Sequence, residues 1–301
     1  MQRSDRGAMT DAASGMRAAC VIGWPAAHSR SPLIHRHWLE VYEIAGDYRL
    51  EAVPPAELEA FVGDLAGHGY VGANVTLPHK EAVLALTAPD ERARAIGAAN
   101  TLWLENGRLR STNTDAEGFI ANLDASAPKW DRGIETALVL GAGGAARAVV
   151  YGLIERGVPR IYVANRTPGR AETIANRFGS AVHPIQWDEA RGLFGATQLL
   201  VNTTTLGMCG QPPLDFGLGR LPANAVVADI VYSPLETCLL AAAKERGLRR
   251  ADGLGMLLHQ AVRGFELWFG VKPEVTPTLR ALVEADLASG VAVPAVDGSV
   301  A

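Results

Sequence analysis

Thr136-Ala137-Leu138-Val139-Leu140-Gly141-Ala142-Gly143-Gly144-Ala145-Ala146 decides the fold of this chain. Five residues dominated by apolar side chains read as a buried strand, and the glycine run that follows opens a helix expected over 144–156. The loop fits G-x-G-x-x-A. Gly141 permits the tight turn, Gly143 lets a pyrophosphate approach the backbone, and Ala146 lets the helix pack close to the sheet. Free N–H groups at the helix start favour phosphate, so Gly141, Ala142, Gly143, Gly144 and Ala145 are expected to hold a dinucleotide. The next strand, 160–164, leads into Asn165-Arg166-Thr167-Pro168-Gly169-Arg170. An acid that would hold a ribose 2′-hydroxyl is missing there. Asn165, Arg166, Thr167 and Arg170 suit a 2′-phosphate instead, so the expected cofactor is NADP(H), not NAD.

Outward from this loop, strands and helices alternate. Strands are expected at 198–202 and 225–231, a helix runs through Ile174 and Phe178, and another runs from after Pro234 to Arg246. That alternation implies a parallel, doubly wound sheet. Toward the N-terminus, strands are expected at 18–23, at 72–77 and through Tyr48, Leu50 and Ala52, the last half-buried. Helices are expected after Pro32, from Pro55, and at 80–86. Asn106-Gly107 between 101–105 and 108–112 marks a two-residue hairpin, which brings Asn100 and Asn113 together at its open end with Asp115 just beyond. Two helices, 253–269 and 277–288, close the chain with no strand between them.

The chain has 301 residues, 48% hydrophobic and 20% charged, which excludes a disordered or fibrous protein. A net charge of −4 offers no basic field for nucleic acid or an anionic membrane. No apolar run approaches the ~18 residues of a membrane span. Three scattered cysteines, Cys20, Cys209 and Cys238, fit a reducing cytoplasm and no metal spacing, and are expected as buried small apolar residues. Residues 1–16 and 291–301 are expected to be a flexible leader and tail, without a signal peptide.

Several segments together carry a resemblance. Val21-Ile22-Gly23-Trp24-Pro25-Ala26-Ala27-His28-Ser29-Arg30-Ser31-Pro32 comes first, then Asn74-Val75-Thr76-Leu77-Pro78-His79-Lys80 and Gly97-Ala98-Ala99-Asn100-Thr101. Asn113-Thr114-Asp115, the glycine loop, Asn165–Thr167, residues 202–208 and Gly253-Leu254-Gly255-Met256 leading to Gln260 follow in order. This ordered set resembles the shikimate dehydrogenase family from Ala18 to about Ala288. The resemblance implies an α/β chain of two domains: an N-terminal α/β substrate domain completed by C-terminal helices, and a Rossmann-type dinucleotide-binding domain. The expected boundaries are 17–115 with 253–290 for the first and 116–252 for the second.

It further implies NADPH-dependent reduction of 3-dehydroshikimate to shikimate, a step toward chorismate and the aromatic amino acids, in a monomer or homodimer. Lys80 and Asp115 are implied as the catalytic pair, and Ser29, Ser31 and Tyr232 as partners of the substrate carboxylate. Asn74, Thr76, Asn100, Asp115 and Gln260 are implied to hold the ring hydroxyls, and Ile230 and Gly253 to join the cofactor site, with no metal. Four positions depart from common family usage: Ser111 and Thr112, where relatives often carry a glycine and an aromatic residue, Ala99 and Arg36, with Thr112 at the cleft wall.

The residue types suit this chemistry. A polyhydroxylated acid needs several neutral donors and acceptors, which reject analogues lacking a hydroxyl. Reducing a ketone generates an alkoxide-like oxygen that a lysine ammonium can stabilise and protonate. The helix expected at 80–86 puts its N-terminal dipole against the Lys80 charge, and Asp115 is expected to offset that. Taken singly, each residue has a plainer reading. Lys80 could be solvated, Asp115, Ser29 and Ser31 could be caps, Asn100 and Asn113 turn residues, Asn74 and Thr76 surface strand residues, and Gln260 and Tyr232 packing. His28, His79 and His259 are expected to line or pack. A quinate or quinate/shikimate dehydrogenase with relaxed substrate or NAD use, and a non-catalytic nucleotide-sensing homologue, remain alternatives.

Overall fold

The computed structural model describes residues 16–27 and 29–289. The expectations for residues 1–15, His28 and residues 290–301 lie outside these described residues.

The front of the chain builds one mixed sheet. Its elements are β1 (Arg17–Gly23), α1 (Ser31–Val41), β2 (Gly46–Ala52), α2 (Leu58–Gly63), β3 (Tyr70–Val75), α3 (Val83–Leu86), β4 (Ala88–Pro89), α4 (Glu91–Ile96), β5 (Thr101–Glu105) and β6 (Arg108–Thr112). The strand order is β2-β1-β3-β5-β6-β4, with β2, β1 and β3 parallel and the β5–β6 hairpin antiparallel. Asn106 and Gly107 both take positive φ in its turn, as the sequence requires.

α5 (Asp115–Ser126) then leads into β7 (Thr136–Leu140), α6 (Gly144–Glu155), β8 (Arg160–Asn165), α7 (Pro168–Phe178), β9 (Val182–Gln186), β10 (Leu199–Asn202), β11 (Val226–Asp229), α8 (Cys238–Glu245) and β12 (Arg249–Ala251). These strands form an all-parallel sheet in the order β12-β11-β10-β7-β8-β9. The order reverses direction at β7, so the crevice outside the carboxyl ends of β7 and β10 is the natural ligand position. α9 (Gly253–Phe269) and α10 (Pro277–Ala288) return to the first sheet.

Strand alternation builds the core. Ala137 and Val139 face Val149, Leu153, Phe119 and Leu123, while Leu138 and Leu140 face Phe194, Leu239 and Leu240. In the first sheet, Cys20 and Ile22 meet α2 residues, whereas Ala19 and Val21 meet Trp38, Leu258 and Phe265.

Several expectations change. The 80–86 helix shrinks to Val83–Leu86, leaving Lys80 in the turns before it. A four-residue helix has little dipole to set against the Lys80 charge, so that expected opposition falls away. Only Tyr48 of the β2 trio is buried; Leu50 and Ala52 are exposed toward the end of an edge strand. Of the cysteines only Cys20 is buried, because Cys209 and Cys238 sit in an exposed loop and in the first turn of α8. α5, β9 and β12 go beyond the elements expected from sequence.

His35 is wholly buried and stacks on the Tyr48 ring at 4.1 Å between centroids. Burial pushes its imidazole down from 6.5 to about 3. Between those values the unfolded chain holds a proton that the folded chain refuses, so this group erodes stability as pH falls. The slope reaches about 1.4 kcal/mol per pH unit. His35→Phe keeps a ring in the stack and is expected to flatten the acid side of the stability curve by that amount. Urea unfolding at several pH values checks this, and an unaltered acid slope would contradict it.

Candidate active site

The hairpin's open end meets the start of α5, as the Asn-Gly turn predicts. Asn100 donates its backbone N–H to the Thr112 carbonyl at 3.1 Å. Its side-chain oxygen accepts the Thr114 N–H at 2.7 Å and the Thr114 hydroxyl at 3.1 Å. Its amide nitrogen donates to Asp115 Oδ1 at 2.9 Å and to Gln260 Oε1 at 3.3 Å. Asn113 pins the same corner, accepting the Asp115 N–H at 3.0 Å and donating to the Ala98 carbonyl at 3.0 Å.

Asp115 is buried in the first turn of α5, where the helix dipole favours a carboxylate. Its other oxygen, Oδ2, accepts from Lys80 Nζ at 2.5 Å. Lys80 is held from behind by its carbonyl, which accepts the Ala99 N–H at 2.8 Å. The Lys80 side chain is 20% exposed and the Asp115 side chain 9%, so the pair is sheltered while the lysine keeps some access to solvent. Buried pairs of this kind are stable only when their remaining oxygens are satisfied, and Asn100 does that here.

Asn74 sits one strand over, accepting the Tyr48 hydroxyl at 2.6 Å and donating to the Asn100 carbonyl at 3.2 Å. Gln260 comes from α9, places its side-chain oxygen 3.4 Å from the Thr114 hydroxyl, and donates to the Leu257 carbonyl at 3.0 Å. Ser29 and Ser31 flank the start of α1, where the Ser31 N–H reaches Ser29 Oγ at 3.3 Å. Tyr232 packs against the same core from the far sheet's loop; burial pushes its phenol up and the Arg30 charge opposes that. Thr76 follows β3, with its methyl group against Gly23. Lys80, Asp115, Asn100, Asn74 and Gln260 thus form one hydrogen-bonded group.

The glycine loop suits a bound dinucleotide. Gly141 takes φ +101°, and a Cβ there would stand 2.8 Å from Thr203 Oγ1. Gly143 and Gly144 meet nothing within 4 Å of where a Cβ would lie, leaving the α6 N-terminus open to a pyrophosphate. Arg166, Thr167 and Arg170 are exposed beyond β8, and Asn165 donates to the Thr167 carbonyl at 2.9 Å. Gly253 starts α9 against Ile230, whose carbonyl a Cβ would approach to 2.3 Å. Arg147, in the first turns of α6, joins the two halves by pairing with Glu81 beside Lys80 and reaching the Gly97 carbonyl at 3.4 Å. Among the described residues no cluster of His, Cys, Asp and Glu could hold a metal, and no helix is long and apolar enough to cross a membrane.

Thr114 and Tyr48 join the hydrogen-bonded group beyond the residues expected from sequence. Thr114 has a signal in its place between Asn113 and Asp115. Tyr48 has none, since its strand position reads as core and its hydroxyl target lies on another strand.

Three family models match the chain: a shikimate dehydrogenase substrate binding domain over residues 21–102, shikimate / quinate 5-dehydrogenase over 129–206, and a shikimate 5′-dehydrogenase C-terminal domain over 253–283. A shikimate dehydrogenase (NADP(+)) of Nitrobacter hamburgensis is 67% identical over 271 residues, covering 90% of this chain and 95% of the relative. The Thermus thermophilus shikimate 5-dehydrogenase solved with NADP(H) and shikimate is 36% identical, with a TM-score of 0.76, covering 91% of this chain and 99% of that one. The Corynebacterium glutamicum quinate dehydrogenase solved with NAD is 30% identical, with a TM-score of 0.83, covering 90% and 99%.

The hub residue sets a stability expectation. Asn100→Ala strands the Thr114 N–H and one Asp115 oxygen in a buried site, so it is expected to cost about 3 kcal/mol in denaturant unfolding. A loss below about 0.5 kcal/mol, the usual effect of an unremarkable surface change, would count against the hub.

Proposed function

The chain belongs to the shikimate dehydrogenase family, and from that premise we infer that it reversibly reduces 3-dehydroshikimate to shikimate with NADPH. The observation that carries this reading is the Lys80–Asp115 pair at 2.5 Å, held by Asn100 and Gln260.

In this reading Lys80 and Asp115 are the catalytic pair. The Lys80 ammonium hydrogen-bonds the substrate's carbonyl oxygen, stabilises the negative charge that grows there, and gives up a proton to it. In the reverse direction the lysine takes that proton back. Asp115 holds Nζ in place, so little reorganisation is needed when the charge appears. Asn74, Thr76, Asn100, Asp115 and Gln260 contact the ring hydroxyls, and Ser29, Ser31 and Tyr232 contact the carboxylate. A site made of such fixed neutral groups penalises any substrate that leaves one of them unpaired.

NADPH, the hydride donor, would lie on Gly141–Ala145, with Asn165, Arg166, Thr167 and Arg170 around its 2′-phosphate and Ile230 and Gly253 at its other end. The open faces of Gly143 and Gly144 and the absence of an acid at the end of β8 support this. We assign residues 17–115 with 253–290 to the substrate domain and 116–252 to the nucleotide domain, supported by the return of α9 and α10 to the first core. All these side chains belong to one chain, so a monomer or homodimer suffices, and three unpaired cysteines suit the cytoplasm.

The likeness to a quinate dehydrogenase gives the second reading, in which quinate is also turned over. Initial rates with shikimate and quinate, each with NADP and NAD, separate the two. The expected order places shikimate with NADP first, and equal rates with both acids would favour the quinate/shikimate enzyme. Lys80→Ala is expected to keep substrate binding while kcat falls about 100-fold or more. Unchanged turnover would sink the assignment of Lys80, whereas a wild-type chain that binds the nucleotide and turns over neither acid would favour a nucleotide-sensing role. Arg166→Ser with Arg170→Ser is expected to raise the KM for NADP about tenfold or more while leaving that for NAD nearly unaltered.

A further inference from the structure

The second sheet holds a buried carboxylate that the catalytic pair does not use. Asp229 ends β11, is 1% exposed, and lies in register with Asn202, the last residue of β10. Its Oδ1 accepts from Asn202 Nδ2 at 2.9 Å and from the Val231 N–H at 3.0 Å. Its Oδ2 accepts the Thr237 hydroxyl at 2.7 Å. The Thr237 oxygen also accepts the Leu240 N–H at 3.3 Å, capping α8, so its single proton is committed to Asp229.

Asn202 continues the network. Its oxygen accepts the Thr204 N–H at 3.0 Å and the Thr204 hydroxyl at 2.7 Å, and its nitrogen reaches the Leu206 carbonyl at 3.1 Å. One carboxylate therefore ties both ends of the 230–237 segment and, through Asn202, the loop after β10. Burial outweighs the pull of its three donors and leaves the Asp229 carboxyl raised to about 6. Sheet pairing needs no such group, since backbone hydrogen bonds make the ladder.

The segment it ties runs from one half of the molecule to the other. Ile230 donates its N–H to the Asn202 carbonyl at 3.1 Å, and the Ile230 and Val231 carbonyls press on Gly253 at the start of α9. Two residues later Tyr232 packs on the core of the first sheet, as does Leu235.

We propose that Asp229 is a positioning residue for the substrate: through Thr237 and the Val231 N–H it sets the loop that presents Tyr232 to the substrate carboxylate. This rests on the reading of Tyr232 given above. The alternative is a purely structural pin, which would change stability and leave substrate affinity alone.

The test uses the full-length chain, with wild-type turnover of shikimate and NADP measured first. Thr237→Val removes the proton donated to Asp229 and keeps the side-chain shape; Thr237→Ser keeps the donor. Thr237→Val is expected to raise the KM for shikimate about tenfold while kcat stays within about threefold, the signature of lost ground-state binding. Thr237→Ser is expected to restore a near wild-type KM, and thermal melts confirm that both variants are folded. A folded Thr237→Val protein with a wild-type KM overturns the proposal, as does a serine variant impaired as much as the valine one. A wild-type chain inactive on shikimate overturns the functional reading as well, so the two failures are distinguishable.

Discussion

Two helices cross here more closely than side chains allow. A Cβ on Gly118 of α5 would stand 2.6 Å from the Gln260 backbone nitrogen, and a Cβ on Gly255 of α9 would stand 1.8 Å from Asn122 Oδ1. α5 commits Phe119 and Leu123 to the second sheet's core, while α9 commits Leu258, Ala261 and Phe265 to the first. Their crossing therefore joins the two sheets at a fixed distance. α5 also begins at Asp115 and α9 carries Gln260, so the same contact fixes the site. Asn100 can bridge Asp115 and Gln260 only because these helices touch through glycine.

The electrostatics of the molecule are local. A net charge of −4 would repel an acidic substrate and a phosphorylated cofactor, yet the proposed ligands are both anions. In the proposed reading their attraction is local, from the Lys80 ammonium, the open α6 N-terminus and the arginines after β8. Among the described residues the buried acids are each tied by donors: Asp115 by Lys80 and Asn100, and Asp229 by Asn202, Val231 and Thr237. A buried carboxylate is costly without partners, and these donor sets offset that cost.

The glycine loop, the Asn-Gly hairpin and the long C-terminal helices are legible in the sequence because each rests on short-range rules. The proximity of Asn100, Asn113 and Asp115 is legible for the same reason. α5 escapes those rules: Gly118 and Asn122 interrupt an otherwise plausible helix, and only packing against α6 and α9 stabilises it. β9 contains Pro184 and β12 is three residues long, so both are strands because a neighbour offers a ladder, not because of their own composition. The exposed Cys209 and Cys238 show the limit of reading burial from residue type, because thiol burial follows location and not chemistry.

The sequence by itself determined the doubly wound parallel sheet, the glycine loop opening α6, the acid-free end of β8 and the identity of the polar side chains near the hairpin. Each depends on spacing within a few residues, where backbone geometry leaves few choices. Only the tertiary structure decided that Gln260 meets Asn100 across 160 positions, that Tyr48 orients Asn74, and that Asp229 ties the loop bearing Tyr232. Those contacts join segments far apart in sequence, and their partners are chosen by how the two sheets pack around α5 and α9. No local pattern encodes that packing.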